Sequence, residues 1–492
     1  MSKLTYRLFA LTLIITFATS ASAKTIIPTI PDAEAQYDAF TVMVNGEPAP
    51  VWQCRVSAIP FNRVWPGYQR ALDQTELAGF VTWETDEATT KVVVRVSGDA
   101  PLESIVVRPL ALGITPTVNR ETREISFAVP RTQPCVLEVN GFHHALHLLP
   151  FPIYERPRDL NAPNLKYFGP GVHKIGVLAV KSGDEIFVDA GAVVYGGVRG
   201  ENVENVKING PGIIDAAPFE RGAIGGIFRF TNSRNITVDG IVQRDTDVWS
   251  TTLHMCDDVV IRNTKLVGLW RYNADGIDVC NCERVLVEKS FLRTFDDSLV
   301  VKGIGETEKS VNDLVFRQNV VWCDWGRAME LGAETRAPEM KNIRFEDSDI
   351  IRTTHIAMDI QHGDRAKISN VLFDNIRVEF DDVIPPPIYQ HTDEQRYDPN
   401  ADPNFCPKLA EIIILKTPYS QDEQNGTVDS ITFKNIRVLG ARRPNVNLQG
   451  LDDQHKVSNV LFEEIYFNDV RVQALDEIPM TKNQFVEQTT LQ

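Results

Sequence analysis

Asp275, Asp278, Asp296 and Asp297 fall within one short stretch, Asn273 to Gly303, and the gap between the first and last of them matches one unit of a repeat that surrounds them. If each unit is a coil of a β-helix, Asp275 and Asp297 lie one above the other on neighbouring rungs, and four carboxylates crowd one patch. Like charges directly opposite across a sheet destabilise it, so a purely structural sheet has little reason to stack them. Clustered carboxylates suit hydrolysis of a glycosidic bond, where one protonated acid serves the leaving oxygen and an ionised partner acts as base or nucleophile. Mutual repulsion supplies the splitting, since such a group cannot all ionise cheaply. Lys302 and Arg327 could hold the ionised members. Two structural alternatives stand beside this reading: a solvated sheet face, or a calcium site built from the same four acids. Against calcium, two of the acids precede strands one rung apart and do not alternate within a single loop.

The elements that must position these acids are read from the repeat. Val206, Ile236, Val259, Val285, Leu314, Ile343, Val371, Ile431 and Val460 occupy equivalent places in short strands, at intervals of 23 to 30 residues with a single interval of 60. Such spacing belongs to solenoids. The strands are rich in Val, Ile and Phe with no helical period, which favours a parallel β-helix over helical repeats. The long interval implies one coil carrying a long loop at 381–427, a stretch that includes Pro385, Pro386 and Pro387. Asn205, Asn235, Asn263, Asn312, Asn342, Asn370 and Asn459 flank the strands, where tolerance of left-handed backbone suits a turn between sheets.

A second strand in each coil aligns Leu253, Ile277, Leu299, Met329 and Met358 in one inward column, with Met255, Val279, Val301, Leu331 and Ile360 in another. The positions between them, His254, Asp278, Val300, Glu330 and Asp359, followed by Cys256, Cys280, Lys302, Gly332 and Gln361, are expected to face solvent. Asp275, Asp297 and Arg327 precede their strands at equivalent places. The whole set makes one cleft floor, with His254, Asp278, Lys302, Arg327, Glu330 and Asp359 available to substrate. Trp249, Trp270, Tyr272 and Trp325 lie in adjoining loops, where their rings could stack on sugar faces.

Residues 24–155 read as short alternating strands with Gly, Pro and Asp punctuation, a β-sandwich. The fold expected is therefore all-β: an N-terminal β-sandwich followed by a right-handed parallel β-helix over 156–480, joined by a Pro-rich linker from Pro150 to Pro163. His143, His144 and His147 are expected along an ordinary strand. Seven cysteines are too few for a disulfide scaffold, and an oxidising compartment makes a Cys54–Cys135 pair possible. Cys280 and Cys282 have no second Cys pair or nearby His at ligand spacing and read as packed thiols. No metal and no cofactor are expected. Lys3 and Arg7, an apolar run from Leu8 to Ala18, and Ala21-Ser22-Ala23 make residues 1–23 a cleavable signal peptide, so the product is expected to be secreted or periplasmic. No later apolar run is long enough to span a bilayer, and no membrane insertion is expected. Lys+Arg 50 against Asp+Glu 66 leaves a net charge of −16, which argues against nucleic acid as a partner.

Asn273-Ala274-Asp275-Gly276-Ile277-Asp278, then Asp296-Asp297 and Lys302-Gly303, resemble the motifs of the polygalacturonases, glycoside hydrolase family 28. They are similar also to the trio of acids in family 49, the dextranases and isopullulanases. The coils from Tyr167 to Val198 are similar to the opening of both families, and a β-sandwich ahead of the helix favours the dextranase-like arrangement. The resemblance implies that Asp296 is the general acid, that Asp275 and Asp297 activate water for single-displacement, inverting hydrolysis, and that Asp278 contacts substrate. It also marks departures. Gly326-Arg327-Ala328 stands where the polygalacturonases carry Gly-His-Gly, and His355-Ile356-Ala357-Met358-Asp359 where they carry an Arg-Ile-Lys motif. Most of the cations that would grip a uronate are thus missing, and Glu330 and Asp359 would repel one.

The expectation is a hydrolase of an α-linked, neutral or weakly charged polysaccharide. A polysaccharide lyase and a non-catalytic glycan-binding solenoid are the alternatives on the same scaffold.

Overall fold

The computed structural model describes residues 24–63, 69–381 and 384–492. The expected signal peptide, residues 1–23, lies outside them. Val206, Ile236, Val259, Val285, Leu314, Ile343, Val371, Ile431 and Val460 are successive Cα partners in parallel strands. Every backbone group in such a ladder meets the coil above or below, so the lumen can be filled with apolar side chains without orphaning a polar group. The ladder belongs to one continuous sheet of 29 strands that runs from Leu165 to Leu491, a parallel β-helix wound right-handed as parallel crossovers are. The interval of 60 is a single coil, because Val371 pairs directly with Ile431. The stretch 381–427 is nevertheless more than a loop. Lys408–Ile414 within it is a regular strand that continues the helix beside Ile356–His362.

Asn205, Asn235, Asn342, Asn370 and Asn459 all adopt positive φ, as does Asn263. Their amides form ladders along the turn, Asn235 to Asn205 at 2.5 Å, Asn342 to Asn312 at 2.8 Å and Asn370 to Asn342 at 2.6 Å. At Asn312 it is the next residue, Asp313, that turns left-handed. Inside the lumen Phe316, Phe345, Phe373, Phe433 and Phe462 stack face to face, with centroids 4.8 to 5.1 Å apart.

Each coil also has a third short strand that the repeat pattern does not reveal, including Lys265–Val267, Phe291–Thr294, Val320–Cys323 and Asp349–Thr353. Its outer face carries Val267, Phe291, Val320, Trp322 and Ile351, and these pack against Trp52, Cys54, Phe80, Leu149 and Phe151 of the N-terminal sandwich. The opposite face of that same sandwich sheet, with Val81, Trp83, Leu137 and Leu148, meets Val42, Val92, Val94 and Ile125 of the second sheet. A sheet covered on both sides gives unbroken burial, as Leu146–Phe151 shows. Pro150 is thereby in a strand and not in the linker. Cys54 and Cys135 point to opposite faces of this sheet and remain separate thiols. His147 is buried in the strand, its Nδ1 2.8 Å from the Gly79 carbonyl, whereas His143 and His144 lie in the turn before it.

Replacing Phe373 by Ala interrupts the aromatic ladder and opens a void in a lumen that cannot collapse across fixed rungs. It is expected to cost about 3–5 kcal/mol in equilibrium chemical denaturation.

Candidate active site

One face of the helix, formed by Thr251–His254, Ile277–Cys280, Leu299–Gly303, Arg327–Thr335, Ile356–His362 and Lys408–Ile414, carries the acidic residues. Gly276 N–H donates to the Asp297 carbonyl at 2.8 Å and Asp296 N–H to the Ala274 carbonyl at 3.4 Å, so Asp275 stands on the rung next to the Asp296-Asp297 pair. Ser298 N–H donates to the Arg327 carbonyl at 2.8 Å, which puts Arg327 on the rung after that. Rungs are about 4.8 Å apart. The Asp296 peptide is pinned from behind: its carbonyl accepts from Thr294 Oγ1 at 2.6 Å and from Cys323 Sγ at 3.4 Å. Gly326 is fixed by space, since a Cβ there would lie 2.4 Å from Asp297 Oδ1 and 2.6 Å from the Asp296 carbonyl carbon.

Asp278, Val300, Glu330, Asp359 and Glu411 follow one another as Cα partners along the outward side of the floor. Two expectations need correction here. Thr252, not His254, precedes Asp278 in that column, because Leu253 pairs with Val279; His254 sits two places on, beside Cys280 and Lys302. The slip arose because Thr251 occupies the inward place that an apolar residue takes in the other coils, and Met255 falls outside the inward columns. Secondly, the outward side chains are not solvated: Asp278, Glu330 and Asp359 are at most 1% exposed, and Lys302 only 4%.

The aromatic expectations divide. Trp249 is half-buried, with Lys302 Nζ 5.0 Å from its ring centroid. Trp270 is buried away from the floor, donating to Asp245 Oδ1 at 2.9 Å, and Tyr272 and Trp325 are buried in the lumen cluster with Phe295. These three rings support the loops and offer no face to a ligand. The exposed rings beside the acids are instead Tyr389 and Tyr419, which the sequence did not single out because both lie in the stretch that looked like irregular loop.

Charge is far out of balance in the floor. Asp275, Asp278, Asp296, Asp297, Glu330 and Asp359 face Lys302 and Arg327. Arg327 lies 3.3 Å from Asp359 Oδ2 and 3.7 Å from Asp297 Oδ1; Lys302 Nζ is 3.2 Å from Glu334. Burial and the neighbouring acids push Asp275 and Glu330 well above the usual carboxylate range, and burial pushes Asp278 the same way. Asp359 is pushed up to about 8 and Asp296 to about 7, chiefly by burial. Asp297 goes the other way. Burial opposes its ionisation, but Arg327, Lys302, a hydrogen bond from Glu330 and the Arg327 N–H at 2.8 Å together hold its carboxyl below the usual value. Two adjacent residues are thus shifted in opposite directions, the division of labour that acid/base chemistry needs.

Comparison with known proteins bears on what this chemistry is. Residues 193–404 match the family described as Glycosyl hydrolases family 28. No curated protein matches the chain. Among solved structures, Dex49A from Penicillium minioluteum superposes with a TM-score of 0.59 at 11% identity, covering 95% of this chain and 96% of that one. A hyperthermoactive exopolygalacturonase from Thermotoga maritima gives 0.48 at 16% identity, covering 63% and 85%. The Yersinia enterocolitica family 28 exopolygalacturonase gives 0.46 at 13%, covering 82% and 96%.

A raised folded-state carboxyl stabilises the fold below its unfolded value of about 4 and loses that contribution as pH rises toward the folded value. Asp278, whose two oxygens have no hydrogen-bond partner, is such a group. Asp278→Asn is expected to leave stability near pH 4 little changed and to raise it at pH 8 by about 1–2 kcal/mol, flattening the pH profile measured by thermal melts.

Proposed function

We propose that this chain, a glycoside hydrolase acting on polysaccharides, cleaves an α-linked glycan that is neutral or weakly charged, by single displacement with inversion. Asp296 gives a proton to the leaving oxygen; Asp297 takes one from the attacking water, and Asp275, on the neighbouring rung, orients that water. Both groups must act together, the acid protonated and the base ionised. The observation that carries this reading is the opposite setting of Asp296 and Asp297, adjacent residues one rung from Asp275. Inversion and the α-linkage rest on the motif resemblance around Asn273–Asp278 and Asp296–Gly303.

Glu330, Asp359 and Glu411 support the uncharged substrate, because a uronate chain laid along them would meet carboxyls on consecutive rungs. Two cations stand together at the far end of the floor, where Arg199 and Arg229 are Cα partners upstream of Thr252. An occasional anionic substituent could be held there. Lys302, with Trp249 beside it, and Asp278 on the preceding rung are the floor groups proposed to meet sugar hydroxyls. The proposal includes secretion, supported by the basic, apolar and small-residue sequence of residues 1–23, and a division into a sandwich domain to about residue 155 and a β-helix domain beyond it.

Reducing-sugar release across dextran, pullulan, galactans, carrageenans and polygalacturonate tests the reading. Asp296→Asn is expected to lower kcat about 10²–10⁴-fold. The wild-type rate should fall as pH rises through about 7, where Asp296 loses its proton, and again at acid pH below the ordinary aspartate value, where Asp297 gains one. Unchanged activity in Asp296→Asn removes the assignment, a retained anomer in the first product seen by NMR removes inversion, and ultraviolet-absorbing unsaturated products turn the reading to a lyase.

A further inference from the structure

Of the large apolar side chains that stay exposed among the described residues, Tyr389 and Tyr419 are the aromatic ones, each 46% exposed. Both come from the stretch that carries the floor strand Lys408–Ile414, one before it and one after it. Tyr389 lies against Trp325, just before the floor strand Arg327–Thr335, and the Tyr419 turn is tied to Asp364, just after the floor strand Ile356–His362, so the two rings flank opposite ends of the floor strands.

Tyr389 is held from below and from the side. Its ring meets Trp325 edge-on at 4.9 Å and 80°. Trp325 is stacked on Phe295 at 6.2 Å and 20°, and the guanidinium of Arg70, from the sandwich domain, lies 3.8 Å from the Phe295 centroid. Phe295 immediately precedes Asp296, so this column ties the position of Tyr389 to that of the acid. Its strand, Ile388–Gln390, pairs in parallel with Phe61–Arg63 of the sandwich, and Ile388 N–H donates to the Pro60 carbonyl at 3.0 Å. The opposite end is fixed by a different set of contacts. Tyr419 N–H donates to Thr417 Oγ1 at 3.1 Å, and Thr417 N–H to Ser420 Oγ at 3.0 Å. Gln421 and Asp422 N–H donate to Asp364 Oδ1 at 2.6 and 2.8 Å. Both phenols are raised in pKa by burial and by the Asp296 charge, and lowered by Arg327, which places both beside the acid site.

Rigidly mounted rings that stay exposed above a polar floor cost free energy unless something covers them. A pyranose has apolar C–H faces that shed water against an aromatic ring, and hydroxyls that suit Glu411, with Asn447 Nδ2 2.5 Å from its Oε2, and Lys408 below. We propose that Tyr389 and Tyr419 form a two-sided aromatic bracket that holds one neutral pyranose unit over Lys408–Ile414, on the C-terminal side of Asp296. This subsite deepens the glycoside hydrolase reading and rests on it for the position of the cut.

The test uses the full chain in two backgrounds. In the active enzyme, Tyr389→Ala and Tyr419→Ala are each expected to raise KM for the glycan it cleaves about tenfold, with kcat changed less than about threefold, while Tyr389→Phe and Tyr419→Phe keep the wild-type KM. In the Asp296→Asn background, calorimetric titration with dextran and pullulan oligosaccharides should show the same loss of affinity in the Ala variants and its rescue by Phe, with oligogalacturonate as the charged control. Exposure of both rings predicts unchanged melting temperatures. Ala variants that keep KM and affinity overturn the bracket, as do Phe variants as weak as Ala, a loss confined to kcat, or the absence of binding to every neutral probe. If the wild type cleaves nothing yet the Ala variants lose affinity in the titration, the hydrolase reading fails and the bracket stands.

Discussion

Asp275, Asp278, Asp296, Asp297, Glu330 and Asp359 crowd around Lys302 and Arg327, and burial with mutual repulsion favours the protonated form of every one of these acids but Asp297. The β-helix enforces the crowding. A coil of fixed length returns the chain to the same face, and the ladder bonds Gly276 to Asp297 and Ser298 to Arg327 leave the side chains no freedom to spread. Repulsion that a loop would relieve by moving is stored here as shifted protonation equilibria. Asp297 escapes the common fate because two cations and two hydrogen bonds converge on it, and its ionisation makes that of Asp296 and Glu330 harder. The opposite shifts of Asp296 and Asp297 therefore depend on the placement of Arg327 and Lys302 as much as on the aspartates themselves.

The sandwich domain is joined to this arrangement by more than a linker. One of its sheets is buried on both faces, against its partner sheet and against the third strand of the coils. Two of its residues, Arg70 and Gln74, reach further. Arg70 donates to the Trp270 carbonyl at 2.7 Å and lies over Phe295, and Gln74 accepts from the Tyr272 hydroxyl at 3.3 Å. The buried rings taken from sequence as sugar platforms, Trp270, Tyr272 and Trp325, are the material of this contact. Aromatic residues near acids are ambiguous in sequence, because a loop that must hold a carboxylate still needs bulk behind it.

What the sequence disclosed follows the same physics. The lumen column from Val206 to Val460 was legible because every coil must put an aliphatic residue there, and the Asn turns were legible because few other residues accept left-handed backbone. The register at Asp275 and Asp297 came with them. The third strand was not legible, being short and covered by a separate domain, so that neither alternation nor spacing marks it. His254 was misplaced because Thr251 breaks the apolar column at one rung. Burial of Asp278, Glu330 and Asp359 could not be read, since alternation gives the side of a sheet and says nothing of what rises around it.

The floor is also polarised along its length. Arg199 and Arg229 open the outward column, Thr252 and Asp278 follow, and Glu330, Asp359 and Glu411 close it. Both guanidinium groups reach the same glycine, since a Cβ on Gly225 would lie 3.7 Å from Arg229 Nη1 and 3.9 Å from Arg199 Nη2. In a chain of net charge −16, that cationic end is a local exception, and the long-range field disfavours approach of a uniformly anionic polymer. A chain laid along the floor meets guanidinium groups first, then the crowded aspartates, then carboxyls on three consecutive rungs. Direction along the groove is thus written in charge, so the two ends of a polysaccharide are not equivalent to it.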